Sequence, residues 1–316
     1  MAVDMEIKGI LPHNSKYLKR LDYLKKPPER IYFYGCLPEF SGDLPINPRF
    51  PKEGTGRPRT VAIVGSRKMT AYGESWAFKI AKELAELGVI IVSGMAIGID
   101  SAAHRGALSG GGRTIAVLGT PINRIYPPEN KKLFEEIIAQ NGCVMSEVKP
   151  GVKMGPELRT NAFLERNRLI AGLSDVVIVV EADERSGSLN TASHALEQGV
   201  PLFAIPGDLS RQMSRGCNRL FNKGASAFTD VSDIVSALFP GRTTKKRVKM
   251  ETISGSADEK AVVSAILDGL TSGEEILSEI CKNEPDFDVS RFNIAITTLE
   301  LKGVVKRELG NQWILV

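Results

Sequence analysis

Short apolar runs alternate with helical patterns along most of the chain, from residue 60 to residue 238. The run Val61–Val64 contains no polar residue, and residues 74–87 after it have apolar side chains at helical spacing. Runs without polar alternation are typical of parallel strands that are covered on both faces. The pattern therefore predicts an α/β fold with a mostly parallel sheet and helices on both faces.

The same alternation places the remaining elements of this region. Further strands are predicted at residues 89–92, 114–118, 143–145, 176–180, 201–205 and 225–229. Helices are predicted at residues 99–108, 189–198 and 216–223. Three more are placed by one end only: one begins after residues 127–128, one ends near residue 173 and one ends at residue 238.

The pattern changes on either side of this region. Residues 1–59 predict a lead-in with a short helix at 17–24, a strand at 31–35 and an exposed loop at 41–59. Residues 60–240 form the predicted sheet domain, and residues 241–257 a basic flexible linker. Residues 258–316 predict three short helices followed by two strands, which is typical of a small winged-helix domain.

Composition and charge restrict the classes of protein. The 316 residues are 42% hydrophobic and 25% charged. No apolar run approaches the roughly 20 residues of a membrane span, so membrane insertion is not expected. Four scattered cysteines predict reduced thiols and a cytoplasmic protein. Residues 1–250 have a net charge of +10 and residues 251–316 a net charge of −6, so a polyanionic partner should prefer the first part.

Four turns rich in glycine, serine or arginine accompany the apolar runs, and three of them follow a predicted strand and open a helix. In an open α/β sheet such turns meet in a crevice beyond the carboxyl ends of the strands. Small residues there let backbone N–H groups approach a phosphate, and arginine adds a positive fork. The turns are Gly65-Ser66-Arg67, Ser93-Gly94 with the six residues after it, Arg166-Asn167-Arg168 and Ser186-Gly187-Ser188.

Each turn also has a structural alternative. Arg67 can be an exposed arginine beside a tight turn, and Asp100 can cap a helix or hold a loop rather than act as a base. Arg166 and Arg168 diverge by about 200° on a regular helix, so one can face a ligand while the other faces a carboxylate.

Catalytic and cofactor motifs are missing from the sequence. There is no G-x-G-x-x-G after the first strand and no phosphate loop ending in Gly-Lys-Ser/Thr. His104 and His194 lie within predicted helices, where a packing role is favoured over proton transfer. The sequence therefore predicts a binding protein without cofactor, metal or enzymatic activity.

The motifs, taken in order, resemble the DprA/Smf family of DNA-processing proteins. The resemblance covers residues 15–238 and the predicted winged helix. It rests on the four turns above together with Ala103-His104, Thr114–Gly119, Tyr126-Pro127-x-x-Asn130, Leu169–Ser174, Val180–Ala182, Leu189-x-Thr191-Ala192 and Gly216-x-Asn218.

The resemblance implies an extended Rossmann-like domain that binds single-stranded DNA. It also implies a homodimer that protects incoming DNA and helps to load a RecA-type recombinase during natural transformation. The family's DNA pocket would fall at Arg67, Arg166, Arg168, Asn218 and Lys223, with Phe163 and Tyr126 available for base stacking. The chain departs from the family's usual pattern at Ile97, where the family has arginine, and at Leu164, where it has proline.

Two alternatives to DNA binding remain at this point. A phosphoribohydrolase acting on nucleoside monophosphates would use Ser186-Gly187-Ser188 as its phosphate loop and Glu197 as its catalytic carboxylate. This chain lacks that loop's paired glycines, and Glu197 has no partner suited to acid–base work. A bare interaction scaffold would not explain the arginines at strand ends.

The charge of the predicted winged helix argues against duplex binding. Residues 251–316 hold 6 basic and 12 acidic side chains, and a duplex binder needs several phosphate contacts. A protein-contact or regulatory role is therefore favoured for this domain.

Overall fold

The structure is a computed structural model that describes residues 6–38, 58–239, 255–267, 270–308 and 312–315. It divides into two compact units, one up to residue 240 and one from residue 241 onward. The predicted loop at 41–59 and the predicted linker at 241–257 lie mostly outside the described residues. Within the described residues, no helix is both long and apolar enough to cross a bilayer.

The first unit is built on a nine-stranded sheet in the order β1-β2-β6-β5-β4-β3-β7-β8-β9. Strands β3 to β9 pair in parallel, and β1 and β2 add antiparallel strands at one edge. The predicted α/β class with a mostly parallel sheet is confirmed. The strands are β1 Lys8–Ile10, β2 Ile31–Gly35, β3 Thr60–Val64, β4 Ile90–Ser93, β5 Thr114–Leu118, β6 Cys143–Ser146, β7 Val176–Val179, β8 Leu202–Ala204 and β9 Ser226–Ala227.

Helices cover both faces of this sheet. Alternate side chains of β3 point to opposite faces: Val61 and Ile63 pack with α1, α2 and α7, whereas Ala62 and Val64 pack with α4, α5 and α6. The period of two within a strand thus divides the apolar residues between two cores. The helices are α1 Ala71–Glu86, α2 Ile99–Ser109, α3 Lys131–Ala139, α4 Pro156–Gly172, α5 Ser188–Glu197, α6 Gln212–Phe221 and α7 Val231–Leu238.

The lead-in is attached at the amino-terminal edge of the sheet. The segment predicted as a helix at 17–24 is a 3-10 helix, Leu18–Tyr23. The Tyr17 hydroxyl donates to the Leu173 carbonyl at 3.1 Å, and Arg20 pairs with Asp175 at 3.2 Å, directly before β7. Strand β1 has no counterpart among the predicted elements, because its three residues carry no apolar run.

The second unit contains three helices and a two-stranded antiparallel sheet, in the order predicted from the sequence. Its core includes Val262, Ile276, Phe292, Leu299 and Trp313. The elements are α8 Ala257–Leu267, α9 Gly273–Asn283, α10 Val289–Leu301, β10 Val305–Glu308 and β11 Gln312–Leu315.

A buried histidine links α2 to the sheet of the first unit. The Thr114 hydroxyl donates to the Ile91 carbonyl at 2.7 Å, so His104 Nδ1, 2.7 Å from that hydroxyl oxygen, carries a hydrogen and donates. His104 Nε2 is buried without a hydrogen-bond partner. Burial lowers the pKa of His104 to about 3, which keeps the ring neutral at physiological pH.

This histidine should make stability depend on pH. Between about pH 3 and 6.5 the unfolded chain binds a proton that the folded chain does not, so the free energy of unfolding falls as pH is lowered through this window. The slope should be about 1.4 kcal/mol per pH unit. His104→Gln should lose this part of the slope in denaturant unfolding from pH 5 to pH 7.

The control removes an exposed histidine instead. His13→Gln should keep the wild-type pH dependence, since His13 lies on the surface. A His104→Gln variant with the same slope as the wild type would show that the buried ring does not titrate between the two states.

Candidate nucleic-acid interface

A cleft of about 630 Å³ lies beyond the carboxyl ends of the central strands. Three segments form most of its walls: the turn after β3, the part of α4 from Arg159 to Ile170 and the turn into α5. Predicted site residues that line it are Ser66, Arg67, Phe163, Arg166, Asn167, Ser186, Gly187 and Ser188.

The turn after β3 holds Arg67 at the mouth of the cleft. The Ser66 backbone N–H donates to the Glu181 carbonyl at 2.7 Å, and the Ser66 hydroxyl accepts from Lys68 N–H at 3.0 Å. Gly98 has a φ of 86° and lies so close to the Ser66 carbonyl that a Cβ would collide with it. The backbone of this turn is therefore fixed on both sides, while the Arg67 side chain is exposed.

Glu181 fastens the end of the same loop. Its carboxylate accepts from the Thr70 N–H at 2.9 Å and from the Thr70 hydroxyl at 2.6 Å, directly before α1. A carboxylate at a helix N-terminus is stabilised by the helix dipole. Glu181 has no role predicted from the sequence; in the fold it is a buried positioning residue, two residues beyond the end of β7.

The turn after β4 is closed by Asp100 rather than open to a ligand. Asp100 Oδ2 accepts from the Gly94 and Ala96 N–H groups at 3.1 and 3.4 Å, so these groups do not form a free anion site. The Ser93 hydroxyl is buried and donates to the Ile63 carbonyl at 2.6 Å. Ser93 therefore does not line the cleft, and Gly94 lines only a neighbouring cavity of about 60 Å³. Asp100 holds a loop, which was one of its two predicted roles.

Arg166 and Arg168 point to opposite sides of α4. Arg166 is buried at the floor of the cleft, where its Nη1 donates to the carbonyls of Gly94, at 2.8 Å, and Val117. Burial lowers the pKa of Arg166 to about 10, although the nearby Asp100 raises it. Burial also raises the pKa of Asp100, while the Arg166 charge and two backbone N–H groups oppose that shift.

The expected place of Arg168 in the pocket is corrected by this geometry. Its guanidinium binds both carboxylate oxygens of Glu147, at 3.1 and 2.6 Å, outside the cleft. The 200° divergence predicted from the spacing thus directs Arg166 to the cleft and Arg168 to a carboxylate.

The opposite wall is the N-terminus of α5, which is open to the cleft at Gly187. The first backbone N–H groups of the helix are engaged: Ser188 N–H donates to the Ser186 hydroxyl at 3.4 Å, and Leu189 and Asn190 N–H donate to the Ser186 and Gly187 carbonyls, each at 3.1 Å. Gly187 is the N-cap residue, and no side chain caps the helix. A Cβ at Gly187 would meet nothing within 4 Å. Asn167 joins this wall to α4 by donating to the Gly187 carbonyl at 3.2 Å and to Asn190 Oδ1 at 3.1 Å. This wall therefore offers an anion the positive end of the helix dipole and the hydroxyls of Ser186 and Ser188, rather than free backbone N–H groups.

Two aromatic rings flanked by arginines form the third feature. The centroids of the Phe163 and Tyr126 rings are 5.5 Å apart. The guanidinium carbons of Arg67 and Arg166 lie 5.4 and 5.9 Å from the Phe163 centroid, and that of Arg159 lies 5.8 Å from the Tyr126 centroid. Arg159 was missed by the sequence analysis, although it lies one helical turn before Phe163.

Two further predicted positions are corrected by the topology. Helix α6 begins after the carboxyl end of β8 and runs back, so Lys223 lies just before β9, at the amino-terminal edge of the sheet and away from the cleft. The Asn218 amide bonds both the N–H and the carbonyl of Gly207, at 3.2 and 2.9 Å, and does not line the cleft.

The residues that depart from the family pattern lie at the edge of the site. Ile97 is 46% exposed and lines the small neighbouring cavity with Tyr126 and Pro127. Leu164 is 41% exposed and lines the cleft.

The three side chains considered for catalysis from the sequence, Glu197, His104 and His194, do not line the cleft. Glu197 is the last residue of α5, at the end opposite Gly187, and pairs with His194 at 3.5 Å. The ten residues of α5 span about 15 Å, so Glu197 is remote from the open N-terminus. No group of three or more potential metal ligands occurs among the described residues.

The fold and the cleft define a class: an α/β protein with an arginine-flanked cleft at the carboxyl edge of its sheet. Residues 8–239 match the family described as DNA recombination-mediator protein A. The chain belongs to this family of DNA-processing proteins.

Relatives with similar sequences are the protein Smf of Synechocystis and the DNA processing protein DprA of Streptococcus pneumoniae. The first is 39% identical over 72% of this chain and 53% of its own length. The second is 42% identical over 65% of this chain and 68% of its own length. The chain thus spans about half to two thirds of these relatives.

Two solved structures of the family have the same fold. DNA processing protein A of Helicobacter pylori is 34% identical, with a TM-score of 0.59 over 75% of this chain and 98% of that protein. The Streptococcus pneumoniae protein is 35% identical, with a TM-score of 0.60 over 74% of this chain and 75% of that protein.

A methyl group at Gly94 should disturb the floor of the cleft. A Cβ there would lie 2.7 Å from Arg166 Nη2 and 2.7 Å from Asp100 Oδ2. Gly94→Ala should therefore lower the free energy of unfolding by about 1–3 kcal/mol, measured by urea unfolding.

Gly187→Ala is the matched control on the opposite wall, since its added Cβ meets no atom within 4 Å. Its stability should stay within about 0.5 kcal/mol of the wild type. Equal stability of the Gly94→Ala variant and the wild type would show that Arg166 and Asp100 are not held as described.

Proposed function

We propose that this protein binds single-stranded DNA in the cleft. The observation that carries the proposal is the ring pair of Phe163 and Tyr126, flanked by arginines and facing the open N-terminus of α5. Rings take up unstacked bases at about 1–3 kcal/mol per base. Arginines and the positive N-terminal end of α5 attract phosphates.

The electrostatics of the two units support the same proposal. Residues 1–240, which include the cleft, hold 30 basic and 25 acidic side chains, a net charge of +5, whereas residues 241–316 hold 11 and 12, a net charge of −1. Among residues 251–316, Arg291 pairs with Asp258 at 3.0 Å and Lys302 with Glu259 at 2.6 Å, so two of the six basic side chains there are already engaged. The first unit therefore carries the DNA-binding role, and the second a protein-contact or regulatory role.

A family member gives further support. The Helicobacter pylori protein, 98% of which this chain covers, is described for its single-stranded DNA binding mode. Transfer to this chain is favoured by the presence of arginines, aromatic rings and a helix N-terminus in one cleft.

The wider role that we propose is protection of incoming DNA and promotion of RecA-type recombinase loading, in the cytoplasm and as a homodimer. Family membership supports this role. The short edge strand β9, with both residues exposed, offers backbone groups for association. Light scattering should give twice the chain mass, and added protein should speed recombinase filament growth on single strands.

We also propose that the protein acts by binding and not by catalysis. Neither Glu197 nor a histidine lines the cleft. Incubation with nucleoside monophosphates should release no base above background. Base release that is lost in Glu197→Gln would instead establish the phosphoribohydrolase alternative.

Strand preference and Arg67 give the direct test. Single strands should bind more tightly than duplexes of equal length, because stacking requires splayed bases. Arg67→Ala should weaken binding and reduce the magnitude of the salt slope by about 0.7. Fluorescence anisotropy over a salt series measures both effects.

Lys223→Ala removes the same charge at the opposite edge of the sheet and serves as the control. Its salt slope should match that of the wild type. Equal affinity for duplex and single strand, or equal slopes for Arg67→Ala and Lys223→Ala, would contradict DNA binding in the cleft.

A further inference from the structure

Two neighbouring loops beside the cleft carry exposed cations and no acidic residue. They are residues 120–128, after β5, and residues 148–155, after β6; we call them the β5–β6 loop surface. Arg124, Lys149 and Lys153 are exposed on it. The function proposed above does not use these side chains.

Hydrogen bonds hold the two loops together. Ile122 N–H donates to the Val148 carbonyl at 3.4 Å, and Gly151 N–H donates to Asn123 Oδ1 at 3.1 Å. The Ser146 hydroxyl, at the end of β6, donates to the Thr120 carbonyl at 2.7 Å. Lys149 and Lys153 flank the Gly151 contact, so both lysines lie beside the loop that contains Arg124.

The surface is continuous with the cleft. Tyr126, which lines the cleft, is two residues beyond Arg124 in the same loop. Arg159, in the first part of α4, lies 5.8 Å from the Tyr126 ring and also lines the cleft. Cations therefore run from Arg67 past Arg159 to the two loops.

The cations of the loop surface are not held in ion pairs, although the exposed carboxylates of Glu129 and Glu157 lie just beyond the two loops. In the part of the chain that the structure describes, Arg124, Lys149 and Lys153 form no ion pair. The carboxylate before the second loop, Glu147, is engaged by Arg168. A positive surface without its own counter-charges collects anions, and exposed lysines act as point charges for phosphate.

We propose that the β5–β6 loop surface is a second phosphate-binding segment that continues the cleft. It binds the sugar–phosphate backbone of the same single strand whose bases lie at Phe163 and Tyr126. The proposal rests on the DNA binding proposed for the cleft. Strands too short to extend beyond the cleft should not contact Lys149 and Lys153, whereas longer strands should contact them.

The experiment compares oligothymidylates of about 5 and about 20 nucleotides, which bracket most single-strand site sizes. Lys149→Ala/Lys153→Ala should weaken binding of the long oligonucleotide by about fivefold per lost contact near 0.1 M salt, and reduce the magnitude of its salt slope by about 1.4. Binding of the short oligonucleotide should be unchanged. Arg67→Ala should weaken binding of both.

The matched control is Lys19→Ala/Lys223→Ala, which removes two exposed lysines at the amino-terminal edge of the sheet. It should leave the affinity for both oligonucleotides near that of the wild type. Equal losses in the two double variants, or equal losses on short and long oligonucleotides, would reduce the effect to net charge and overturn the proposal.

The outcomes separate this proposal from the one for the cleft. If Arg67→Ala weakens binding of both lengths and Lys149→Ala/Lys153→Ala has no effect, the cleft stands and the extension is overturned. If only the lysine variant weakens binding of the long oligonucleotide, the loop surface stands as a site and the cleft proposal fails. A wild-type protein that binds neither length overturns both.

Discussion

The burial of one guanidinium organises the carboxyl edge of this sheet. Arg166 reaches from α4 to the carbonyls of Gly94 and Val117, at or just beyond the ends of β4 and β5, and lies below the Phe163 ring. A buried charge is stable only where hydrogen bonds and an opposite charge replace water. Asp100 supplies the opposite charge and also closes the turn after β4. The rings, the helix and two strand ends are therefore fixed relative to one another.

Much of this architecture is predictable from the sequence. Apolar runs such as Val61–Val64 identify the buried strands because both of their faces are covered. Glycine and arginine turns at strand ends identify Arg67 and Gly187, because parallel topology brings these ends together. Strand β1 was not predicted, and β9 is shorter than the strand predicted at residues 225–229. Edge strands depend on their pairing partners more than on their own apolar pattern.

The site residues were predicted less well where a polar side chain had a choice of partners. The sequence spacing predicts that Arg166 and Arg168 point in different directions, but only the fold shows that Arg168 pairs with Glu147. Asn218 and Lys223 follow the carboxyl end of β8 in sequence, yet α6 carries Lys223 to the other edge, and the Gly207 backbone engages Asn218. Arg159 was missed because its role depends on Tyr126, which belongs to a different loop.

The two walls of the cleft are chemically unlike. Rings and guanidinium groups lie on the α4 side, and the positive N-terminal end of α5 with the hydroxyls of Ser186 and Ser188 lies on the other side. A polymer with a direction of its own, such as a nucleic-acid strand, would meet different groups if it were reversed. A cleft that binds a strand as proposed would therefore distinguish the two orientations of that strand, and successive copies of the protein along it would share the same polarity.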